Sequence, residues 1–492
     1  MYIKSKSNII FRRYDSFGYI TDNRNFGYKK TNNDANHIGD KILSKSGALF
    51  FSVLGKKSRH INTLAQEICK FFTDVDLDTI KKDAIDFYST LERDGFVASG
   101  KTVQECDAND AKFSYKEVEP KKFEKGLSQA IEPIEKSTQD FLEEYFEGEP
   151  QLTNLHIEIT SKCNERCLHC YIPHEDKVSS IDDGLFYSIL DQCRNLKVLH
   201  LTISGGEPML HKNFCNFLNK CNEYNFSVNI LSNLTLLDDQ ALEEMKLNPL
   251  LGVQVSLYSM TPDIHDDITQ SKGSFDKTKN AILRLIENDI PLQISCPIMK
   301  QNKNCYGDVI RWADKNKINV GDDYVLIARY NHTTTNLNCR LSIAEVKDVI
   351  KDRAANSVKF LEQMELESKK KQSVSPDDYV CSVCHSSICI ADNGAVYPCA
   401  GWQDYVVGNV KEASLSKIWN DSQKIKYLRG LRNSDLPKCR RCSDKEFCTM
   451  CMVRNANESP AGDPLDVNDY FCNIAKLNKK IVVKWRKGLI DS

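Results

Sequence analysis

The chain has 492 residues, 41% of them hydrophobic and 27% charged, with a formal net charge of -2. That length exceeds what a single core fills, so about two to four domains are expected. The near balance of charge gives no global electrostatic basis for binding nucleic acid or a membrane surface. The first residues lack the apolar core of a secretory signal, and no stretch approaches the roughly 18 apolar residues of a membrane span. A cytoplasmic protein is the default expectation.

Cysteine is the outlier, with 20 in the chain. A reducing cytosol rules against a disulfide scaffold, so clustered thiols point to metal or catalysis. Only Cys69 and Cys106 precede Cys163, whereas nine cysteines fall between Cys381 and Cys472. The scattered Cys193, Cys215, Cys221, Cys296, Cys305 and Cys339 read as small buried hydrophobes.

Taken in chain order, residues 1–105 form a small α+β unit of winged-helix type. FGYITD and NFGYKK, separated by DNRN, read as a β-hairpin. Three apolar-periodic segments follow, the last with Ile80, Ala84, Phe87 and Leu91 at helical spacing. Residues 106–150 are charged and read as a helical linker. From 151 to 340 the pattern alternates. LHIEIT, VLHLTIS, SVNILS, GVQVSLY, LQISCPIM and DYVLIA are short apolar runs, each followed by a polar or helix-compatible stretch. Such alternation implies βα units and a parallel sheet, with ligands at the C-terminal ends of the strands. The fold class expected is α/β, a partial six-unit barrel. Residues 341–378 read as a helical bridge, 379–475 as a Cys-rich domain and 476–492 as a basic amphipathic tail.

Two motifs sit at strand ends. Cys163, Cys167 and Cys170 form a C-x3-C-x2-C loop just after LHIEIT. Three thiolates at this spacing can hold three irons of a cubane and leave the fourth iron without a protein ligand. The alternative, structural zinc, needs a closed four-ligand set, which would have to recruit His169. One βα unit later, Ser204, Gly205, Gly206, Glu207 and Pro208 close VLHLTIS. The glycines permit close backbone approach to a ligand, and Glu207 offers an acceptor for a cationic group.

These two motifs together resemble the radical SAM superfamily. The resemblance implies a 4Fe–4S cluster on Cys163, Cys167 and Cys170, with S-adenosylmethionine (SAM) completing the open iron. Gly205, Gly206 and Glu207 would contact the SAM amino group. Ser256, at the end of the fourth strand, and Asn233, at the end of the third, are further SAM-binding candidates. The chemistry implied is reductive cleavage of SAM to a 5′-deoxyadenosyl radical. No catalytic acid or base stands out.

In isolation, the C-terminal cysteines fit a zinc ribbon as well as a cluster domain. Behind a radical SAM core they resemble the SPASM domain, which implies two auxiliary clusters. Cys439, Cys442, Cys448 and Cys472 would hold one. Cys384, Cys399 and Cys451 would serve the other, with Cys381 as fourth ligand and Cys389 its competitor. In ICI, Cys389 lies on the face opposite Ile388 and Ile390.

The N-terminal unit resembles the precursor-recognition element of enzymes that modify ribosomally made peptides, which binds a leader as an added strand. A DNA-binding winged helix is the alternative, with Arg12, Arg13, Lys56, Lys57 and Arg59 as phosphate contacts. The three-part order implies a peptide maturase of Cys-rich precursors, most readily forming a thioether. A flavodoxin- or ferredoxin-type protein would supply electrons. Carbon–carbon crosslinking, epimerisation or sulfatase-type oxidation would use the same parts, and an iron–sulfur regulator is the remote alternative.

Overall fold

The computed structural model describes residues 1–23, 39–110, 142, 144–146, 148–248, 252–356, 358–372 and 375–488. The N-terminal strands are β1 (Tyr2–Ser5), β2 (Ile10–Arg13), β3 (Gly18–Thr21), β4 (Asp40–Leu43), β5 (Arg59–His60) and β6 (Val97–Gly100). They form two three-stranded sheets, β5-β1-β6 and β2-β3-β4. Helix α1 (Lys45–Ser52) packs on β3 and β4 of the second sheet, whereas α2 (Ile61–Cys69) and α3 (Leu77–Arg93) pack on β5 and β6 of the first. Ile80, Ala84, Tyr88 and Leu91 form the buried stripe of α3, which Asp76 caps by accepting from Thr79 N. FGYITD is a strand, but its partners are β2 and β4. The expected partner NFGYKK lies outside the described residues, as does most of the linker.

The β2-β3-β4 sheet is seated on the end of the central domain where the barrel strands begin. Arg12 Nε donates to Val198 O at 2.7 Å, Phe11 N to Asn225 Oδ1 at 2.9 Å, and the Arg12 guanidinium lies over the Phe226 ring. Lys56 bonds the carbonyls of Ser7 and Ile9, and Arg59 pairs with Glu67. Three of the five cations considered for phosphate contacts are therefore engaged within the protein.

The central sheet contains β7 (Asn154–Thr160), β8 (His200–Gly205), β9 (Ser227–Ser232), β10 (Gly252–Ser256), β11 (Leu292–Ser295) and β12 (Asn319–Gly321). These six strands are parallel and adjacent in chain order, each crossover carrying at least one helix. The result is an open six-unit barrel. Alternation explains its two faces. Leu155 and Ile157, Leu201 and Ile203, Val228 and Ile230, and Val253 and Val255 pack outward against Phe186, Phe217, Met245 and Ile282 of the surrounding helices. The intervening residues, among them His156, Glu158, Thr202, Ser204, Asn229 and Gln254, point to the opposite, inner face.

The sixth strand falls earlier than DYVLIA. Asn319–Gly321 pairs with Gln293–Ser295, and the chain then leaves the sheet. Asp322 pairs with Arg353 at 2.9 Å, and Asp323 Oδ1 accepts from Val325 N at 2.8 Å. Asp323 thus makes a local turn bond, and Asp322 is held by a helix outside the sheet, where the strand ends.

Beyond the helices Ile343–Asn356 and Val358–Gln372, three short strands extend the same sheet: β13 (Ser387–Ile390), β14 (Ala395–Tyr397) and β15 (Gly408–Asn409). β13 runs parallel to β7, and β14 and β15 follow antiparallel. The Cys-rich domain is thus joined to the barrel by backbone pairing as well as by a shared core that includes Trp402, Ile418 and Trp419. The helix Asp469–Arg486 runs through residue 475 into the expected tail and buries Ile481 and Val482. No helix among the described residues is long and apolar enough to cross a membrane.

Candidate active site

The cysteine loop leaves the C-terminal end of β7 and is fastened on several sides. Arg166 N donates to Thr269 O and Leu168 N to Ile268 O, both at 3.0 Å, which ties the loop to the helix Pro262–Thr269. Ser161 N donates to Asp392 Oδ2 at 3.0 Å, a bond from the Cys-rich domain. Cys163, Cys167 and Cys170 are all half-buried. Burial pushes the Cys163 thiol up to about 11 and Cys167 well above its ordinary value. Such thiols are neutral until a metal displaces their protons. His169 Nε2 lies against the Tyr258 hydroxyl at 3.4 Å.

The residues after β8 complete the loop's support. Gly206 N donates to Thr160 O and Glu207 N to Lys162 O, each at 2.8 Å. A Cβ on Gly205 would stand 1.9 Å from Thr160 O, and one on Gly206 would stand 2.2 Å from Lys162 O. Gly205 also holds φ at 145°. The close approach these glycines permit is to the cysteine loop itself.

Glu207 is fully buried. Its carboxylate accepts from Ser232 Oγ at 2.8 Å, Asn233 N at 2.8 Å and Met209 N at 3.0 Å. Burial nevertheless raises its pKa to about 7. Asn233 Nδ2 donates to Asn164 Oδ1 at 3.0 Å, linking the end of β9 back to the loop. Ser256 ends β10 on the inner face, level with Ser295 of β11. Gly205, Gly206, Glu207, Asn233 and the three cysteines therefore belong to one bonded network at the strand ends, with Ser256 on the neighbouring strand.

The C-terminal thiols fall into two neighbourhoods. Burial raises the thiols of Cys439, Cys448 and Cys472, and each is raised further by negative potential from others of the set that includes Cys442. Burial likewise raises Cys381, Cys384 and Cys399, and each is raised further by negative potential from others of a second set that includes Cys451. Cys389 points into the barrel, its thiol beside Cys399 and Glu158.

Sulfurs that bind different irons of a cubane stand further apart than ligands of a single ion. Among the described residues, one set of three His, Cys, Asp or Glu ligand atoms lies within 4.8 Å, and it contains none of these eleven cysteines. The donor chemistry of the loop and C-terminal thiols fits clusters. A family model for the radical SAM superfamily matches residues 157–313, and one for an iron–sulfur cluster-binding domain, SPASM, matches residues 381–443.

The chain is a radical SAM enzyme with a SPASM domain. Its cofactors are SAM and iron–sulfur clusters. Similar proteins include the PqqA peptide cyclase of Gluconobacter oxydans, 25% identical over 312 residues, covering 60% of this chain and 83% of that one. The antilisterial bacteriocin subtilosin biosynthesis protein AlbA of Bacillus subtilis is 24% identical over 314 residues, covering 62% and 68%. A tungsten-containing aldehyde ferredoxin oxidoreductase cofactor-modifying protein of Pyrococcus furiosus is 25% identical over 329 residues, covering 60% and 88%. Among solved structures, Streptococcus suis SuiB bound to its precursor peptide SuiA matches with a TM-score of 0.58. The identity is 14%, over 94% of this chain and 98% of that one, a likeness of fold.

Within this radical SAM enzyme the inner-face residues His156 and Glu158 escape a motif reading. Their signal is present in LHIEIT, where two ionisable groups two residues apart interrupt an apolar strand and must share one face.

Proposed function

We propose that this enzyme modifies a ribosomally synthesised, Cys-rich precursor peptide, joining a cysteine sulfur to a peptide carbon as a thioether. The observation that carries the reading is the three-part order: a winged-helix-like unit, a radical SAM barrel and a SPASM domain, in one chain. An iron–sulfur enzyme acting on a small molecule has no evident use for the first of these. The peptide named in PqqA peptide cyclase and the bacteriocin named for AlbA support a peptide substrate. The SuiB fold, which spans the N-terminal unit as well, is solved with a precursor peptide.

In this reading Cys163, Cys167 and Cys170 hold the radical SAM cluster, and Gly205, Gly206, Glu207, Asn233 and Ser256 line the SAM site. Cys381, Cys384, Cys399 and Cys451 hold one auxiliary cluster, and Cys439, Cys442, Cys448 and Cys472 the other. When bound, cluster and SAM supply a 5′-deoxyadenosyl radical able to take hydrogen from a peptide carbon. The chain itself positions the parts. The bonds from Thr269, Ile268 and Asp392 hold the loop, and the Glu207 carboxylate locks the ends of β8 and β9 together. The N-terminal unit would bind the precursor's leader through main-chain hydrogen bonds. The electron donor would be a flavodoxin or ferredoxin, in a cytoplasmic setting that keeps the thiols reduced.

The test is anaerobic reconstitution with a Cys-rich peptide encoded beside the gene, followed by mass spectrometry. A thioether removes a pair of hydrogens per bond and protects one cysteine from alkylation. The same mass loss with every cysteine still alkylated would replace thioether by carbon–carbon linkage. An unchanged peptide alongside robust SAM cleavage would refute the peptide substrate.

A further inference from the structure

Where β13 of the SPASM domain pairs with β7 of the barrel, three ionisable side chains of different type converge. The parallel register sets Cys389 opposite His156, and Glu158 lies two residues further along the same face of β7. A nitrogen, an oxygen and a sulfur from this trio all lie within 4.8 Å of one another. Glu158 is 4% exposed and Cys389 wholly buried. On the outer face of the same strands, Leu155, Ile157, Ile388 and Ile390 show what packing alone selects.

The trio is poorly satisfied as it stands. Glu158 Oε2 accepts from Gln403 Nε2 at 2.6 Å, but Oε1 is buried with no hydrogen-bond partner among the described residues. Asp392 adds negative potential, and burial pushes the Glu158 carboxyl up to about 8 and His156 down to about 4. Leaving a carboxylate oxygen buried and unpaired is costly, and a cation removes that cost.

We propose that His156, Glu158 and Cys389 bind one thiophilic divalent cation of the zinc type at the seam between the radical SAM and SPASM domains. One imidazole, one carboxylate and one thiolate suit zinc, whose bonds of about 2.0–2.3 Å draw its ligands close together. A thiolate and a carboxylate together neutralise a divalent charge. Gln403 on Glu158 and the Ser204 hydroxyl on His156 supply the outer bonds that orient such ligands. Three protein ligands leave a fourth position for water or a substrate donor, the arrangement of reactive rather than structural zinc.

The test uses the full chain, reconstituted anaerobically with iron and sulfide, then given zinc sulfate and desalted. Zinc and iron are counted separately, and X-ray absorption at the zinc edge reports the neighbours. Expected is one zinc ion per chain beyond the iron, with one sulfur and otherwise nitrogen or oxygen around it. E158Q and C389S should each weaken zinc retention at least about tenfold with the iron count unchanged. No zinc in the wild type, zinc surrounded by three or four sulfurs, or retention in both variants would overturn the proposal. So would loss of about four irons in C389S, which would make Cys389 a cluster ligand. Each of these outcomes leaves the radical SAM reading standing, because SAM cleavage is measured independently.

Discussion

The two cysteine-bearing regions of this enzyme are built in opposite ways. The barrel's three cysteines lie within eight residues of one loop, and the structure's task there is to anchor that loop from outside, through Thr269, Ile268, Asp392 and the glycines after β8. The SPASM thiols are drawn from positions 381 to 472, on the turns before β13 and after β14, the loop that carries Cys439 to Cys451, and the helix Asp469–Arg486. A local ligand set can be assembled before the domain is complete, whereas a dispersed one exists only once the domain has folded. The difference also suits the roles proposed above: a loop that would leave one iron open for SAM, and four-thiol sets that would close around a cluster.

The largest effect should come from the local set. Changing Cys163, Cys167 and Cys170 together to Ala should abolish 5′-deoxyadenosine formation. The iron content of anaerobically reconstituted protein should fall from about twelve to about eight per chain. Retention of SAM cleavage in that variant would break the comparison at once. Next, Cys472→Ala should remove about four irons while leaving measurable SAM cleavage and abolishing peptide modification. If it also stopped SAM cleavage, with the loop's cluster intact by spectroscopy, the two regions would not be separable.

The anchoring itself is tested by Gly205→Ala. A Cβ placed 1.9 Å from Thr160 O, at φ 145°, must displace the loop backbone. A loss of about 3 kcal/mol or more in thermal or denaturant unfolding is expected, together with poor cluster retention. Glu207 gives a smaller, pH-dependent effect. Its folded pKa of about 7 exceeds its ordinary 4.5, so its contribution to stability is fully present below about pH 4.5 and is lost as pH rises through 7. Integrated, this is on the order of 3 kcal/mol at most. Glu207→Gln should flatten that part of the apoprotein's stability–pH curve relative to wild type. An unchanged slope would mean that the three donors to the carboxylate outweigh its burial.

Much of this was readable from sequence wherever the information is local. Alternation in LHIEIT, VLHLTIS, SVNILS and GVQVSLY matches β7 to β10 because one face of each strand must meet helices. The run DYVLIA has the same look, yet the strand is Asn319–Gly321. At the open edge a single neighbour stabilises pairing, and Asp322 and Asp323 find partners that end it. Likewise FGYITD is a strand whose partners come from before it and from residue 40 onward. Propensity identifies strands; pairing depends on chain that propensity does not see.

The sequence by itself determined the chemistry: three thiols at C-x3-C-x2-C spacing on a strand end, followed one unit later by a Gly-Gly-Glu turn. Both are short segments, and their joint resemblance to the radical SAM superfamily carries the chemistry. Only the tertiary structure decided that Gly205 and Gly206 lie against the cysteine loop. It alone set Cys389 against His156 across more than two hundred residues of chain. The physical reason is that sheet register and close backbone approach are settled by the packing of the whole domain, and no local pattern encodes which distant strand will arrive alongside.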